Sequence, residues 1–261
     1  MKIDNYINGV NLQRAANFVI AEPRAVNLSE LKDGDTVFCK TDFLPYLFTA
    51  LTKDPRSFKL ITHCSDYSVD SSLFNGRPPC IKKWFAQNAD FKHPDLIPLP
   101  IGVENHTGYS KGASIDISYL ENWNKKLLYT HRQNTVYCNF NLSTHRSRQE
   151  TFNTLKNKEF CVFDSGKSFA DYCKELQKHK FVASPRGNGI DCHRTWEALY
   201  MGCIPIVERH PMYDSWAGLP IIQIDDWNKV DDVVNLYTNG TSNKKMLDVN
   251  YWLDTINNYA C

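Results

Sequence analysis

A glycine turn at residues 186–189 carries the side chains best suited to chemistry in this chain. The apolar residues 181–184 predict a short strand before the turn, and the residues after it predict a helix. Strand–turn–helix units of parallel sheets hold phosphate groups, because glycines let backbone N–H groups approach the anion and the helix dipole favours its charge. A guanidinium in the turn suits a diphosphate. The predicted diphosphate-binding residues are Arg186, Gly187, Asn188 and Gly189.

The helix after the turn offers further polar groups for a nucleotide. His193 and Arg194 lie in its first turn, where they could support the phosphates or a sugar. Glu197 follows one turn later, and its carboxylate could accept hydrogen bonds from two ribose hydroxyls. The plainer alternative is a βαβ unit whose glycines, Gly187 and Gly189, serve only a tight turn of positive φ. The surrounding charged side chains favour a nucleotide-diphosphate site.

A second polar turn, at residues 140–145, follows another predicted strand. Ser143 lies within it, and Arg148 lies near the start of the next helix, so both could face the same phosphates. An ordinary N-cap with a solvated arginine explains this pattern equally well. Residues 164–166 also follow a predicted strand and could meet a nucleobase edge. Asp191 is expected to cap the helix after the glycine turn.

Residues 184–206 resemble the donor-binding signature of exostosin-like glycosyltransferases. Ser-Pro-Arg-Gly stands at 184–187, Arg-Thr-Trp-Glu-Ala-Leu at 194–199 and Gly-Cys-Ile-Pro-Ile at 202–206. The size of the chain is similar to that of the short soluble viral xylosyltransferases of this group. The resemblance implies an α/β, GT-B-like fold with two Rossmann-like lobes and a cleft between them. It also implies a nucleotide-sugar donor, inversion at the anomeric carbon and no metal at the active site.

The same resemblance indicates the substrates. A UDP-sugar would donate its sugar, with xylose as first choice and glucuronic acid, galactose and N-acetylglucosamine as alternatives, to an oligosaccharide or other glycan acceptor. No cofactor beyond this co-substrate is expected. The residues themselves also argue against a metal, because Asp33-Gly-Asp35 precedes a predicted strand instead of following one. The His and Cys residues lack the spacing of metal ligands.

An inverting transfer needs a general base for the acceptor hydroxyl, and we expect it from the first half of the chain. Two loops that follow predicted strands, at residues 63–70 and 100–106, carry acidic and histidine side chains. Trp84 and Phe85 could stack on an acceptor sugar, although they could equally belong to the core. The catalytic candidates are Asp66, then Asp70 and His63, with Glu104 as an alternative base; the acceptor-binding candidates are His63, Glu104 and His106.

Apolar runs that predict strands alternate with helical stretches along the chain, which favours parallel α/β lobes. The predicted strands are residues 36–39, 59–62, 96–99, 135–139, 160–163, 181–184, 204–207 and 221–224. The predicted helices are residues 11–18, 42–51, 81–87, 146–155, 169–178, 193–201, 230–237 and 244–259. A polar stretch places the lobe boundary near residue 125, with an acceptor-binding lobe at 1–125 and a donor-binding lobe at 126–261. The last helix is expected to pack back on the first lobe.

Composition excludes several classes of protein. The formal net charge of +1 argues against a general attraction for nucleic acid or anionic membranes. No stretch approaches the roughly 20 apolar residues of a membrane span, and the first residues lack the apolar run of a signal peptide. Nine cysteines without Cys-x-x-Cys pairs fit reduced thiols. A cytoplasmic location follows, in the host cytoplasm if the protein is viral.

Other functions are compatible with part of the pattern. An NAD(P)-dependent oxidoreductase would use residues 187–192 as a dinucleotide fingerprint, with Glu208 on the ribose. Two residues argue against an oxidoreductase. Cys192 replaces the third glycine of that fingerprint, and Arg186 occupies a turn that needs no side chain. A GT-B-like epimerase would share the donor site. A non-catalytic module that binds sugar nucleotides or glycans would not place the candidate bases in the cleft.

Overall fold

The computed structural model describes residues 5–22, 28–105, 132–237 and 243–260, and these form two parallel five-stranded sheets. The first sheet has the order β1-β2-β3-β4-β5, and the second has the order β10-β9-β8-β6-β7. The strands of the first sheet are β1 Phe18–Ile20, β2 Thr36–Lys40, β3 Phe58–His63, β4 Ile81–Ala86 and β5 Leu96–Pro98. Those of the second sheet are β6 Gln133–Cys138, β7 Cys161–Phe163, β8 His179–Ala183, β9 Ile204–Glu208 and β10 Ile222–Ile224.

Helices connect most successive strands, as parallel pairing requires. The α-helices described in the first lobe are α1 Gly9–Leu12, which precedes β1, α2 Leu44–Leu51 and α3 Ser71–Asn75. In the second lobe they are α4 Arg146–Leu155, α5 Phe169–Leu176, α6 His193–Tyr200, α7 Pro211–Asp214, α8 Val230–Leu236 and α9 Val249–Asn258. In the described part of the chain, none of the helices has the length and apolar character that crossing a membrane requires.

The strands are apolar because helices and the opposite lobe cover them. All six residues of β3 are buried, as are four of the five in β2 and in β9. Strands that are buried on both faces need near-continuous apolar runs, which is why these segments could be recognised in the sequence. Two parallel sheets with helices form two Rossmann-like lobes, so the predicted α/β, GT-B-like fold class is confirmed.

One hydrophobic cluster spans both lobes, whereas two others belong to one lobe each. The shared cluster contains Ile7 and Phe85 of the first lobe together with Trp196 and Trp252 of the second part of the chain. In addition, the Lys59 ammonium group donates to the carbonyl oxygen of Ile256 at 3.1 Å, so the end of α9 contacts β3 of the first sheet. The expected lobe boundary near residue 125 lies outside the described residues.

Two predictions about elements were wrong. Residues 81–87 were expected to form a helix, but Ile81–Ala86 form strand β4 between β3 and β5. Trp84 and Phe85 therefore lie in the core with 0% exposure and do not stack on an acceptor sugar. The Trp84 indole N–H donates to the Thr62 hydroxyl at 2.8 Å. Similarly, Phe18 begins strand β1 instead of ending a helix.

The segment after β5 leads from the first sheet into the cleft and depends on one glycine. Gly102 has a φ of +68°, and a Cβ built on it would lie 2.0 Å from the Ile7 carbonyl oxygen. The neighbouring Val103 N–H donates to that same oxygen at 2.8 Å. Only glycine fits this conformation beside a backbone so close.

Replacing Gly102 by alanine is expected to destabilise the protein more than a change at an uncrowded glycine of positive φ. Positive φ alone costs an alanine roughly 1–2 kcal/mol, and the contact with the Ile7 carbonyl adds to that. We expect an unfolding midpoint lower by several degrees, since about 1 kcal/mol moves it by about 2–4 °C for a chain of this size.

Gly34→Ala is the matched control for thermal unfolding followed by circular dichroism. Gly34 also has a positive φ, +86°, but its added Cβ would meet nothing within 4 Å. Equal losses for Gly102→Ala and Gly34→Ala would contradict the tight packing of Gly102 on Ile7.

Candidate functional site

A cavity of about 560 Å³ opens at the carboxyl ends of the second sheet. Within this sheet β6 lies between β7 and β8, so the chain winds outward in both directions from it. Ligands of parallel sheets bind at such a switch point, and the volume lies within the range of ligand sites. Asn139, which follows β6, and the glycine turn, which follows β8, both line the cavity. We call it the donor cavity.

A smaller cavity of about 210 Å³ adjoins it and is lined mainly by the first lobe. Asp66, Ile101 and His193 line both cavities, so the two spaces meet at these residues. The remaining lining of the smaller cavity is predominantly polar and includes Lys40, His63, Cys64, Gln87, Glu104 and Asn105. We call it the acceptor cavity.

The glycines of the turn are needed for close packing and not for an unusual backbone. Gly34, Gly102, Gly166 and Gly202 have positive φ among the described glycines, whereas Gly187 and Gly189 do not. The idea that these two serve a turn of positive φ is therefore wrong. A Cβ on Gly189 would lie 2.7 Å from the Asn88 amide nitrogen of the first lobe, and one on Gly187 would lie 3.1 Å from the Arg148 guanidinium.

Arg148 lies beneath this turn and fixes its shape. Its side chain is buried, and burial lowers the pKa of the guanidinium. Nε donates to the Arg186 carbonyl at 2.8 Å and Nη1 donates to the Asn141 carbonyl at 3.0 Å. The alternative of a solvated arginine is wrong, because these contacts tie the two predicted phosphate turns to each other. Arg148 also lines the donor cavity.

Arg186 does not line the donor cavity in this structure. Its Nη2 donates to the Asn188 carbonyl at 3.3 Å, so the guanidinium folds back over its own turn. The Asn188 amide crosses the cleft and donates to Asp66 Oδ2 at 3.2 Å. Ser143 is likewise engaged locally, since its N–H and hydroxyl donate to Asn141 Oδ1 at 3.0 and 2.9 Å. Thr144, the next residue, lines the cavity instead.

Asp191 does not cap helix α6. The N-cap residue is Cys192, and Asp191 is a buried carboxyl group that joins the lobes. Its Oδ2 accepts from the Ile101 N–H at 2.8 Å and from the Trp196 indole N–H at 2.7 Å, and its Oδ1 accepts from the Cys192 N–H at 2.9 Å. Burial raises the pKa of Asp191 to about 6, although the three donors act in the opposite direction.

Three buried polar groups face the interior of the donor cavity. Arg194 Nε donates to the Asn139 carbonyl at 2.7 Å, while its Nη1 is buried and has no partner among the described residues. The buried Tyr172 hydroxyl of α5 faces the Glu197 carboxyl group. Glu197 is 9% exposed, and burial raises the pKa of its carboxyl group. Buried polar atoms ordinarily have partners, so this cluster indicates a polar ligand.

The sequence did not identify every residue that lines this cavity. Tyr172 and Phe169 belong to helix α5, where an aromatic residue at helical spacing is usually part of the core. Lys167 lines the cavity beside Gly166 and forms an ion pair with Asp164 at 3.0 Å. The predicted nucleobase site at residues 164–166 therefore adjoins the cavity through Gly166, whose φ is +69°.

The two catalytic candidates of the 63–70 loop have different surroundings. Asp66 is exposed, lines both cavities and accepts from the Asn188 amide of the opposite lobe. Asp70 caps helix α3, where its carboxylate accepts from the Leu73 N–H at 2.8 Å. It lines neither cavity. This capping role does not support Asp70 as a base, because its carboxylate is turned toward its own helix.

The acceptor-binding candidates fall into three groups. His63 is buried in the wall of the acceptor cavity, with Nε2 3.1 Å from the Pro100 carbonyl, and burial lowers its pKa to about 4. It is therefore uncharged at neutral pH. Glu104 lines the same cavity, and its Oε2 lies 3.5 Å from His193 Nε2. His106 lies outside the described residues.

The structure disfavours a dinucleotide fingerprint. Glu208 would have to bind a ribose, but its carboxylate accepts from the Arg186 N–H and from the Trp227 indole N–H, both at 3.1 Å.

As to metals, the described parts of the chain contain no group of three or more His, Cys, Asp or Glu side chains placed to hold one.

Comparison with known proteins identifies the family. The family model "RXYLT1 C-terminal domain" matches residues 118–254, which is more than half of the chain. None of the curated proteins matches. A structure titled "Crystal Structure of alpha1,3-Fucosyltransferase" is similar with 12% identity and a TM-score of 0.43, over 90% of this chain and 71% of that one. The chain therefore belongs to the RXYLT1 C-terminal domain family and is a glycosyltransferase of the exostosin-like group.

Proposed function

We propose that this protein transfers a sugar, with xylose as first choice, from a UDP-sugar to a hydroxyl group of a glycan acceptor, with inversion and without a metal. The observation that carries the proposal is the meeting of the two cavities at Asp66 and His193. One cavity has the buried polar groups of a nucleotide site, and the other reaches the same point from the opposite lobe. A donor and an acceptor can therefore meet there.

The donor cavity offers a separate group for each part of a nucleotide sugar. Helix α6 points its N-terminus at the cavity through His193 and Arg194, and this end attracts the diphosphate. Glu197, one turn further, accepts the ribose hydroxyls. Gly166 and Phe169 adjoin the space left for the nucleobase. Uridine is proposed from the resemblance to exostosin-like enzymes, as is xylose.

The leaving diphosphate gains negative charge as the glycosidic bond breaks, so its stabilisation sets the rate. The Arg194 guanidinium lines the donor cavity and has a buried nitrogen without a partner among the described residues, so we assign it to the diphosphate. The N–H groups at the start of α6 add to it. These groups supply the charge that a metal would otherwise provide, and metal independence is proposed on that basis.

Asp66 is proposed as the general base. Its carboxylate takes the proton of the acceptor hydroxyl, and the oxygen forms a bond to the anomeric carbon on the face opposite the diphosphate. The bond between that carbon and the diphosphate oxygen breaks, and the electron pair leaves with the diphosphate. Asp66 lines both cavities and Glu104 lines the acceptor cavity, which favours catalysis over a non-catalytic binding module. The cytoplasmic location stays a prediction from the cysteine usage.

A thermal-shift experiment in the presence of EDTA tests the donor. We expect UDP and one UDP-sugar, first UDP-xylose, to raise the unfolding midpoint, since a ligand at a hundred times its dissociation constant adds about 2.7 kcal/mol. NAD(P) should give no shift. Stabilisation by NAD(P) alone would overturn the transferase, and a shift by UDP-xylose that EDTA abolishes would overturn metal independence.

Asp66→Asn is expected to retain donor binding and to lose at least about a hundredfold in turnover, the usual contribution of a general base. Asp70→Asn is the matched control, since asparagine caps a helix as well as aspartate does. Its turnover should remain near that of the unmodified protein. UDP-sugar affinity and kcat are measured for both. A normal kcat for Asp66→Asn would move the base to Glu104, and a loss confined to Asp70→Asn would contradict the placement of both carboxylates.

Arg194→Met is expected to weaken UDP binding by about tenfold to a hundredfold, because hydrogen bonds to charged groups contribute about 1.5–3 kcal/mol. Methionine keeps the apolar stem of the side chain and removes the charge. Arg186→Met should weaken binding only a few-fold, since the Arg186 guanidinium faces its own turn. Calorimetric titration with UDP gives both values. A larger effect at Arg186 would show that its side chain turns into the cavity when the diphosphate binds.

A further inference from the structure

The Tyr172 hydroxyl group lies in the wall of the donor cavity beside the carboxyl group of Glu197. Tyr172 belongs to α5 and Glu197 to α6, and both line the cavity although they are only 8% and 9% exposed. The hydroxyl faces the carboxyl group. Two helices that follow different strands of the second sheet therefore bring a phenol and a carboxyl group to one point of the cavity.

Packing alone does not explain this hydroxyl group. The Tyr172 ring packs against two other aromatic rings, since its centroid lies 6.0 Å from that of Tyr137 and 6.0 Å from that of Phe169. A phenylalanine would fill the same space. Burying a hydroxyl group is unfavourable unless the group makes a hydrogen bond. A polar contact therefore accounts for the tyrosine, and the Glu197 carboxyl group that it faces can make this contact.

In this contact the hydroxyl group is the donor and the carboxylate is the acceptor. Burial raises the pKa of the Glu197 carboxyl group. The charges of His193 and Arg194, and then a hydrogen bond from Tyr172, act in the opposite direction, because each favours the ionised carboxylate. Burial, followed by the Glu197 charge, raises the pKa of Tyr172 well above its usual range, so the phenol keeps its proton.

Arg194 leaves the Glu197 carboxylate available. It precedes Glu197 by three residues, a spacing at which helical side chains can pair. Its Nε donates instead to the Asn139 carbonyl at 2.7 Å, and its Nη1 is buried without a partner among the described residues. A carboxylate can accept about four hydrogen bonds, so one from Tyr172 leaves the other positions for a ligand in the cavity.

We propose that Tyr172 is the positioning residue of Glu197: its hydroxyl donates to one oxygen of the carboxylate and directs the other toward the 2′- and 3′-hydroxyls of the ribose. This inference rests on the proposed function, because it assigns a role within the same donor site. Its consequence is specificity for a ribonucleotide. A deoxyribose lacks one of the two hydroxyls, so it leaves the oriented, buried carboxylate without one of its donors.

The test compares the binding of UDP, 2′-deoxy-UDP and 3′-deoxy-UDP by calorimetric titration. All three probes carry the same base and the same diphosphate, so the difference between their affinities reports the ribose hydroxyls. We expect UDP to bind about tenfold to a hundredfold more tightly than the weaker of the two deoxy analogues, as the loss of a hydrogen bond to a charged group predicts.

Tyr172→Phe removes the hydroxyl group and keeps the ring. It should weaken the binding of UDP by about tenfold and that of the weaker deoxy analogue by less than about threefold, so the preference for UDP is largely lost. Tyr251→Phe is the matched control, because Tyr251 lies on α9 and lines neither cavity. Its affinities should equal those of the unmodified protein. The unfolding midpoint of each variant is measured, so that a loss of fold is not taken for a loss of binding.

Glu197→Met completes a double-mutant cycle with Tyr172→Phe. Methionine is similar to glutamate in length and is at most a weak acceptor of hydrogen bonds. If Tyr172 acts through Glu197, Tyr172→Phe should have almost no further effect on UDP affinity in the Glu197→Met background. Two residues that act independently would instead give losses of binding free energy that add.

The outcomes separate the inference from the function on which it rests. If UDP does not bind to the unmodified protein, the proposed donor is wrong and the inference falls with it. If UDP and both deoxy analogues bind equally well, the donor site stands and the selection of a ribose is overturned. If Tyr172→Phe has no effect, or weakens all three probes by the same factor, the tyrosine only shapes the cavity and its positioning role is overturned.

Discussion

The buried carboxylate of Asp191 is the interaction on which the cleft depends. It receives three N–H donors, and one of them, Ile101, belongs to the first lobe. The Asp191 N–H in turn donates to the Asn88 side chain of the first lobe at 3.0 Å. Removing one of these donors leaves part of the buried group's hydrogen-bonding capacity unsatisfied, which typically costs about 1–3 kcal/mol. The pKa of Asp191, about 6, lies above that of an unfolded aspartate, so the folded protein favours the protonated form of this carboxyl group. The free energy of unfolding that this preference contributes is largest in acid and is lost as the pH rises through about 6.

This contact determines which residues meet in the cleft. Once Asp191 is fixed to Ile101, the next residues of the two segments face each other, and His193 reaches both Gly102 and Glu104. The site is therefore assembled by two chain segments, one from each lobe, and not by either lobe alone. Close packing at a glycine allows this approach, because a Cβ on Gly189 would lie 2.7 Å from the Asn88 amide nitrogen of the first lobe. The donor and acceptor cavities meet at Asp66 and at Ile101 and His193, which belong to these two segments.

The sequence predicted the local units and not their orientation. The strand, glycine turn and helix at 181–200 could be recognised because strand burial, turn and helix each leave a local pattern. Strand β4 was read as a helix, since Ile81, Trp84 and Phe85 also fit a helical spacing, and only the neighbouring strands decide between the two. Asp66 and Asp70 are equivalent in sequence, and only the start of α3 shows that Asp70 is a helix cap. Tyr172 had no local signal at all, because its role depends on the cavity that other segments form.

The arrangement of arginines explains how a turn full of carbonyl groups can face an anion. Arg148 and Arg186 donate to the carbonyl oxygens of the turn, including those of Arg186 and Asn188. These oxygens carry partial negative charge and would repel a diphosphate if they faced it unpaired. Guanidinium groups that bind them neutralise this charge and add positive potential beneath the turn, even though Arg186 does not line the cavity. Arg194 lines the cavity with a buried nitrogen that has no partner among the described residues, and under the proposed function this third arginine binds the diphosphate.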